Sequence, residues 1–375
     1  MSILDPKSHL SLPVQIGDDL KTKIRSGRLS AGSRIPSETS LAHQYRVSRI
    51  TARQALLNLI YEGFLIRVPG KGTFVSEPSE RHSGGEGFCP QLLGVIAPTL
   101  RNSYFARIVE SIGETTGEQG WRTVLFSPTG RAAEERKMLE EAAGVVRGTI
   151  LIAGEYSAEN GILVRKMRET SPLVIVDVAV AGVVTDLVVS DDRTGGRLAV
   201  MHLVELGHRK ILHLAGPSGD SSADDRLAGY GDALKKHGIP LVSGMVRFTD
   251  WSMDQGYFET KKVFLSGGKN RPTAVFACND EVAVGAFKAL AELGLRVPAD
   301  IAVVGYGNLD VGKYFQVPLT TVDQPAVAIG RAAARLLLER MTPGGGTKEW
   351  RKMVIPTTLV IRESCGIRLK GSKAG

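Results

Sequence analysis

SRIPSETSLAHQYRVSRITARQALLNLIYEGFLIRVPGKGTFV, residues 33–75, decides the fold of the amino-terminal part of this chain. Ser37 and Ser48 each stand where a short helix can begin, because a serine hydroxyl accepts a hydrogen bond from a free N–H group of the first turn. Apolar residues recur at helical spacing through 52–59 and give the second helix one buried face. The run PGKG at 69–72 then separates two short apolar strands. The segment therefore predicts two helices joined by a turn and followed by a glycine-tipped β-hairpin.

The outward face of the second helix is basic and polar. Arg49 and Arg53 are four residues apart and so share one face, with Ser48 and Thr51 near its leading end. A helix presented in this way beside a hairpin is typical of domains that place a helix in the major groove of DNA. Each arginine taken singly is equally consistent with a solvated surface helix. The order of the elements favours the DNA-binding interpretation.

Length and charge indicate more than one domain. The 375 residues exceed one typical domain, and 43% hydrophobic residues suffice for sizeable cores. The formal charge is +8, and residues 1–81 hold twelve Lys or Arg against seven Asp or Glu. Positive charge is therefore densest in the amino-terminal piece, as expected of a part that meets phosphate.

Other classes of protein are disfavoured by the sequence. No apolar run approaches the roughly 20 residues needed to span a bilayer. The first residues lack the pattern of a signal peptide. Cys89, Cys278 and Cys365 are far apart and form no CxxC pair, so we expect reduced thiols rather than disulfides or a zinc site. These observations predict a cytoplasmic protein.

A different pattern follows the amino-terminal part. Residues 77–91 are polar, contain proline and glycine, and predict a linker. From residue 92 onward, short β-branched runs alternate with helical stretches, which indicates parallel sheets covered by helices. The series falls into two halves that meet near Ser190, and two lobes with a ligand cleft between them are the expected arrangement. The predicted strands are 92–97, 123–126, 149–152, 173–176, 210–215, 245–248, 273–277 and 301–305.

The amino-terminal segment resembles the GntR-type winged helix-turn-helix. The resemblance is carried by PSE at 36–38, VSR at 47–49 and the EGF…GKGTFV run at 62–75. One departure is Thr39, at a position where the family often has a basic residue that reaches a base. No operator sequence can therefore be carried over. The DNA-contacting positions that the resemblance implies are Ser37, Glu38, Thr39, Ser48, Arg49, Thr51, Arg53, Gly70 and Lys71.

The rest of the chain resembles the LacI/GalR effector-binding domain, which is periplasmic-binding-protein-like. Among the segments that carry the resemblance are NSYF at 102–105, the long run at 190–217, CNDEVAVGAFKAL at 278–290 and VPADIAVVGYGN at 297–308. The implied topology has three crossovers between two lobes, which we place near Ser190, Gln324 and Gly345.

The two resemblances together divide the chain. The predicted fold class is α/β, with a winged helix-turn-helix at 1–76, a linker at 77–91, a two-lobed effector-binding and dimerisation domain at 92–364 and a basic tail at 365–375. This combination is similar to arabinose-responsive repressors of the same chimeric architecture. It implies a homodimer.

The second resemblance also implies effector-binding positions. They are Tyr104, Phe105, Asp177, Ser222, Arg226, Trp251, Asn279 and Gly307. Arg226 is the strongest candidate, because an arginine in an otherwise apolar helix entry needs an anionic or hydroxyl partner. Phe105 is also consistent with a core residue, Asp177 with a turn cap, Trp251 with surface packing and Asn279 with a helix cap.

Two departures bear on the ligand. Gly307 stands where the relatives usually present a pocket carboxylate, and Asn308 is a candidate substitute. Asp220 stands where some purine- or phosphate-sensing relatives carry a basic residue, which argues against an anionic effector. The leading interpretation is a neutral sugar or polyol.

Catalytic motifs are missing from the sequence. Leu65 occupies the place of the first P-loop glycine, no GxSxG elbow occurs, and the histidines show no metal-ligand spacing. Asp191 and Asp192 are adjacent and so point apart on a helix, where they would favour its first turn. We therefore predict that the protein has no cofactor and no metal, and that it is a transcription regulator, a repressor, whose DNA affinity the effector controls. The alternative is a carbohydrate-processing enzyme with an accessory DNA-binding head.

Overall fold

The computed structural model describes residues 12–61, 63–68, 70–77, 91–128, 132–154, 158–266, 271–342 and 349–366. The chain forms a small amino-terminal head (residues 12–77) and a larger part with two six-stranded sheets. Among the described residues, no helix combines the length and apolarity needed to cross a membrane.

The head contains three helices and a hairpin. Its elements are α1 (Leu12–Arg25), α2 (Glu38–Tyr45), α3 (Arg49–Tyr61), β1 (Leu65–Val68) and β2 (Gly72–Val75). Ser37 caps α2 by accepting a hydrogen bond from the Ser40 N–H group, as the sequence predicts. Arg46 ends α2 in a left-handed conformation with φ 55°, which turns the chain into α3. Strands β1 and β2 are antiparallel, and an isolated bridge from Arg34 to Phe74 widens this hairpin, which forms the wing.

Helices and strands alternate through the rest of the chain. In order they are β3 (Gln91–Ile96), α4 (Ser103–Gly117), β4 (Trp121–Phe126), α5 (Ala132–Val145), β5 (Thr149–Ile152), α6 (Ala158–Thr170), β6 (Leu173–Val176), β7 (Asp186–Ser190), α7 (Asp192–Glu205), β8 (Ile211–Ala215), α8 (Ser221–Lys236), β9 (Val246–Phe248), α9 (Met253–Leu265), β10 (Ala274–Ala277), α10 (Asp280–Glu292), β11 (Ala302–Tyr306), the short 3₁₀ helix Asp310–Lys313, β12 (Thr320–Asp323), α11 (Ala326–Met341), β13 (Lys352–Ile355) and β14 (Thr358–Val360).

Two sheets define two lobes. The first lobe has strand order β13-β7-β6-β5-β3-β4 and the second has β14-β12-β11-β10-β8-β9. All strand pairs in both sheets are parallel except β12 with β14. The inner strands β5, β6, β8, β10 and β11 are buried along their whole length, because helices cover both faces. The expected α/β fold with parallel sheets is confirmed.

The chain crosses between the lobes three times. The first crossover follows Ser190 and the second falls at Gln324, both as predicted, because β7 and α7 belong to different lobes, as do β12 and α11. The third prediction, near Gly345, is wrong. The chain stays in the first lobe through β13 and crosses only at residues 356–357, where β14 begins the return to the second sheet.

The carboxyl-terminal boundary also differs from the prediction. Cys365 was assigned to the tail, but it is buried in the core of the second lobe beside residues of β11 and β12. The described part of the fold therefore extends to Gly366. The other boundaries stay predictions, because most of the linker lies outside the described residues.

Two of the three cysteines lie among the described residues. Cys278 and Cys365 are free and buried. Burial raises the pKa of the Cys278 thiol to about 11, so this thiol stays protonated at neutral pH. Cys89 lies outside the described residues.

Candidate functional site

The start of α3 is built by a serine and a threonine. The Ser48 hydroxyl accepts a hydrogen bond from the Thr51 N–H group at 3.1 Å, and the two hydroxyl oxygens lie 2.8 Å apart. This cap satisfies a backbone donor that the helix leaves free. Ser48 is exposed, but Thr51 is only 4% exposed. The structure thus supports a role for Thr51 in shaping the helix start, and its direct contact with DNA stays a prediction.

The other predicted DNA contacts lie on the surface of the head. Arg49 and Arg53 project from α3, and the Arg49 side chain is 72% exposed. Ser37 and Thr39 are exposed at the start of α2. A groove of about 570 Å³ runs between these elements and the wing.

The wing tip carries Gly70 and Lys71. Both are exposed, and Gly70 has φ +74°, a conformation that glycine adopts without strain. The Lys71 N–H group donates to the Val68 carbonyl at 3.0 Å and closes the hairpin. The tip is therefore an exposed turn that carries a positive charge.

Three residues of this surface were missed by the sequence analysis. Ile50 is 44% exposed beside Arg49, although apolar residues on helices usually face inward. Arg67 projects from β1, and Arg34 lies against Gly72, where an added Cβ would come within 3.0 Å of its guanidinium. Their signal in the sequence is weak, because Ile50 breaks the polar pattern of the face and the two arginines lie outside α3.

A second group of predicted residues meets between the lobes. In the first lobe, the Tyr104 hydroxyl donates to the Asp177 carboxylate at 2.7 Å. Asp177 follows β6 with φ 77°, an uncommon conformation for a residue other than glycine. Burial and the charge of Asp192 raise the pKa of Asp177 to about 7, while the Tyr104 hydrogen bond and Arg226 lower it. Asp177 of the first lobe therefore faces Asp192 and Arg226 of the second lobe.

Arg226 is the centre of the second-lobe side. It is 4% exposed, its Nε donates to Asp192 at 2.8 Å, and its Nη1 donates to the Cys278 carbonyl at 2.7 Å. Its guanidinium lies 3.9 Å from the centroid of the Tyr306 ring and 5.3 Å from that of Trp251. Burial opposes the positive charge, but Asp192 outweighs it and raises the pKa of Arg226. The partner that the sequence required for this arginine is thus supplied by the chain itself.

The adjacent aspartates have separate functions. Asp191 caps α7 by accepting from the Thr194 N–H group at 3.1 Å, a hydrogen bond that the sequence did not predict. Asp192 points into the second lobe and binds Arg226. The prediction that it serves the first turn of the helix missed this buried ion pair, because its partner is 34 residues away.

The ion pair also reaches the crossovers. Ser190 donates to the second oxygen of Asp192 at 2.8 Å, and Gln324 donates to the Ser190 hydroxyl at 3.3 Å. Ser190 and Gln324 are the last residues before two of the three crossings. A continuous chain of hydrogen bonds therefore links these two crossovers to Arg226.

Three further residues that the sequence predicted for effector binding, Asn279, Ser222 and Phe105, contact different parts of the fold. Asn279 caps α10 through the Val282 N–H group and also donates to the Trp251 carbonyl at 3.0 Å. Ser222 is buried and donates to Asp220, the cap of α8. Phe105 is partly buried and packs against the core of the first lobe. These contacts agree with the structural alternatives that the sequence left open for Asn279 and Phe105.

Gly307 is buried, and its backbone has a conformation that favours glycine. Gly307 has φ +117°, and the nearest atoms to an added Cβ are 3.8 Å away. Asn308 donates to Asp323 and accepts from Arg362, so its amide is already bound. The structure therefore gives no support to the idea that Asn308 replaces a pocket carboxylate.

Two family models match separate parts of the chain. The model of bacterial regulatory proteins of the gntR family matches residues 12–75. A periplasmic binding protein-like domain matches residues 200–365. The arabinose metabolism transcriptional repressor of Geobacillus stearothermophilus is 30% identical over 87% of this chain and 90% of its own length.

Two further relatives match the larger part. The HTH-type transcriptional repressor PurR of Haemophilus influenzae is 31% identical over 72% of this chain and 80% of its own. The lac repressor dimer bound to operator and the anti-inducer ONPF superimposes with a TM-score of 0.64 at 30% identity, covering 74% of this chain and 95% of that one. These proteins are transcriptional regulators rather than enzymes.

A winged head joined to a two-lobed ligand-binding fold defines a DNA-binding transcriptional regulator. The chain belongs to the family of GntR-headed regulators with a periplasmic-binding-protein-like domain, together with the arabinose metabolism repressor. The alternative of a carbohydrate-processing enzyme is not supported.

We expect Arg49→Ala to weaken binding to a selected operator duplex by about tenfold to a hundredfold, since one arginine contact to a base contributes about 1–3 kcal/mol. Fluorescence anisotropy with duplexes selected from a random pool measures the affinity. Arg28→Ala removes the same charge from an exposed position outside the DNA-facing surface and is the matched control. Equal losses in the two variants would reject the assignment of α3.

We expect Asp192→Asn to lower the free energy of unfolding by about 3 kcal/mol, because it leaves the buried Arg226 charge without its partner. Asp191→Asn should change it by less than about 0.5 kcal/mol, since asparagine caps helices as well as aspartate does. Urea unfolding of the full chain followed by fluorescence measures both. A similar loss in the two variants would contradict the importance of the ion pair.

Proposed function

We propose that this regulator is a repressor whose affinity for its operator falls when a neutral sugar or polyol binds between the lobes. The single observation that carries the proposal is the meeting of Tyr104 and Asp177 from one lobe with Arg226 from the other. A ligand held by groups of both lobes favours the arrangement in which those groups are close. Ligand binding then shifts the population of lobe arrangements.

The charges of this interlobe site support an uncharged ligand. The charges of Asp192 and Asp220 both raise the pKa of Asp177 there, and Arg226 is the positive group that lowers it. The Arg226 charge is already neutralised by Asp192. An anionic effector would meet net negative charge, whereas hydroxyl groups can both donate to carboxylates and accept from the arginine.

The aromatic rings support the same class of ligand. Trp251 is partly exposed, with its ring 5.3 Å from the Arg226 guanidinium, and Gly216 lies directly beneath it. A flat apolar surface beside polar groups suits the C–H faces and hydroxyls of a sugar. The name of the arabinose metabolism repressor points in this direction too.

The ligand proposal is tested by thermal unfolding of the full chain with arabinose, ribose, xylitol, a sugar phosphate and hypoxanthine. We expect a neutral sugar or polyol to raise Tm, because a ligand at a hundred times its Kd stabilises by about 2.7 kcal/mol. The same compound should release a selected operator duplex.

Matched tryptophan variants localise the effect. Trp251→Ala should abolish the rise in Tm. Trp350→Ala, which removes a tryptophan that stacks on Arg168 and Arg340 in the first lobe, should keep it. Stabilisation by the sugar phosphate alone, or equal behaviour of the two variants, would overturn the proposal.

We also propose that the protein acts in the cytoplasm as a homodimer. The lac repressor, which shares the fold, is a dimer on its operator, and two heads can read half-sites about 34 Å apart. Exposed apolar side chains suggest a dimer surface in the second lobe. Phe258 and Leu265 lie on α9, and Tyr314, 84% exposed, follows the 3₁₀ helix. Helix α9 packs against α10. Phe315, two residues after the 3₁₀ helix, has its ring 5.2 Å from that of Phe287 in α10.

We expect Tyr314→Asp to raise the dimer dissociation constant at least tenfold, because a charge is costly in a dehydrated interface. Sedimentation equilibrium measures the constant. Leu241→Asp places the same charge at another exposed apolar position and should leave it unchanged. A monomeric wild-type protein, or an unaffected Tyr314 variant, would reject this surface.

A further inference from the structure

One carboxylate lies in the middle of the DNA-facing arginines. Glu38, in the first turn of α2, has Oε2 at 3.3 Å from Arg49 Nε and Oε1 at 4.0 Å from Arg53 Nε. Its Oε1 also lies 3.9 Å from Arg67 Nη2 on the wing strand. A single side chain thus joins α2, α3 and the wing.

The burial of these groups is unequal. The Glu38 side chain is 18% exposed, whereas those of Arg49, Arg53 and Arg67 are 72%, 46% and 58% exposed. The carboxylate lines the groove between α3 and the wing together with Arg49 and Arg67, and it lies deeper than these two side chains. DNA that enters the groove would meet the arginines before it meets the glutamate.

A negative charge at a phosphate-binding surface reduces general affinity for DNA, because that affinity depends on positive charge. The loss of affinity that Glu38 causes must therefore be offset by another effect of this side chain on DNA binding. Free arginine side chains sample many rotamers, and in these they can bind any nearby phosphate. A carboxylate that holds the arginines in one arrangement lowers the entropy lost when DNA is bound in that arrangement. It also disfavours DNA contacts that require other arginine rotamers.

The hydrogen bonding of Arg49 fits this effect. Glu38 accepts from Nε of Arg49. The two Nη groups at the tip remain to donate in parallel, which is the pattern that recognises the O6 and N7 atoms of guanine. Contact with the carboxylate thus directs the tip of the side chain outward.

We propose that Glu38 is a positioning residue that exchanges general DNA affinity for sequence specificity by holding the arginines of α3 and the wing. This inference depends on α3 forming the DNA-facing surface, which the Arg49→Ala variant tests separately. It assigns Glu38 no contact with a base.

The test compares Glu38→Gln with wild type in the full chain. Glutamine keeps the size and one acceptor oxygen but removes the charge that attracts three guanidinium groups. Anisotropy is measured on a duplex selected by the wild-type protein and on a shuffled duplex of equal length and composition. We expect weaker binding to the selected duplex, equal or tighter binding to the shuffled one, and a ratio of the two affinities that falls at least tenfold.

Salt dependence gives a second readout. An arginine released by the substitution becomes free to bind a phosphate, and each added phosphate contact steepens the slope of log K against log salt by about 0.9. We expect Glu38→Gln to steepen this slope on the shuffled duplex by about that amount.

Glu77→Gln is the matched control. It removes the same charge from an exposed glutamate of the head that lies outside the groove. Its specificity ratio and salt slope should equal those of the wild type. The proposal is overturned if the two variants behave alike, or if Glu38→Gln weakens both duplexes by the same factor, which is the result of a merely structural function. Loss of binding in both Arg49→Ala and Glu38→Gln with an unchanged ratio would also overturn it.

Discussion

The ion pair of Arg226 with Asp192 is the interaction on which the sensing part of the molecule depends. Two charges removed from water are tolerated only when each is paired and its remaining hydrogen-bonding groups are satisfied. Asp192 meets this condition through Ser190, and Arg226 through the Cys278 carbonyl and the Tyr306 ring. The start of α7, the middle of α8 and the end of β10 are therefore held in one arrangement. In that arrangement, Asp192 and Arg226 of the second lobe face Asp177 of the first lobe.

Because Ser190 and Gln324 continue the same network, the proposed ligand site and two of the crossovers are linked by hydrogen bonds. A ligand that competes for Arg226 or Asp177 disturbs groups that lead directly to two crossovers. The head uses a carboxylate among arginines as well, but at an exposed surface. There the attraction is screened and weak, so it can orient side chains without preventing their transfer to DNA.

Much of the fold could be predicted from local patterns. Eight strands of the two sheets lie within a few residues of the apolar runs that predicted them. Strands β7, β12, β13 and β14 were missed. Strands β7 and β12 mix polar with apolar residues, and β13 and β14 are short and lie at the edges of the sheets. Missing β13 also placed the third crossover at Gly345 instead of at residues 356–357. An edge strand is identified by its neighbour in the sheet more than by its own sequence.

The sequence by itself determined the alternation of strands and helices, the capping serines of the head and the basic face of α3. These features depend on residues a few positions apart, whose relation is set by the geometry of one helix or turn. Only the tertiary structure decided which groups meet. Asp192 contacts Arg226 across 34 residues, and Glu38 lies among arginines of two other elements, because packing brings distant positions together and burial then makes their charges depend on one another.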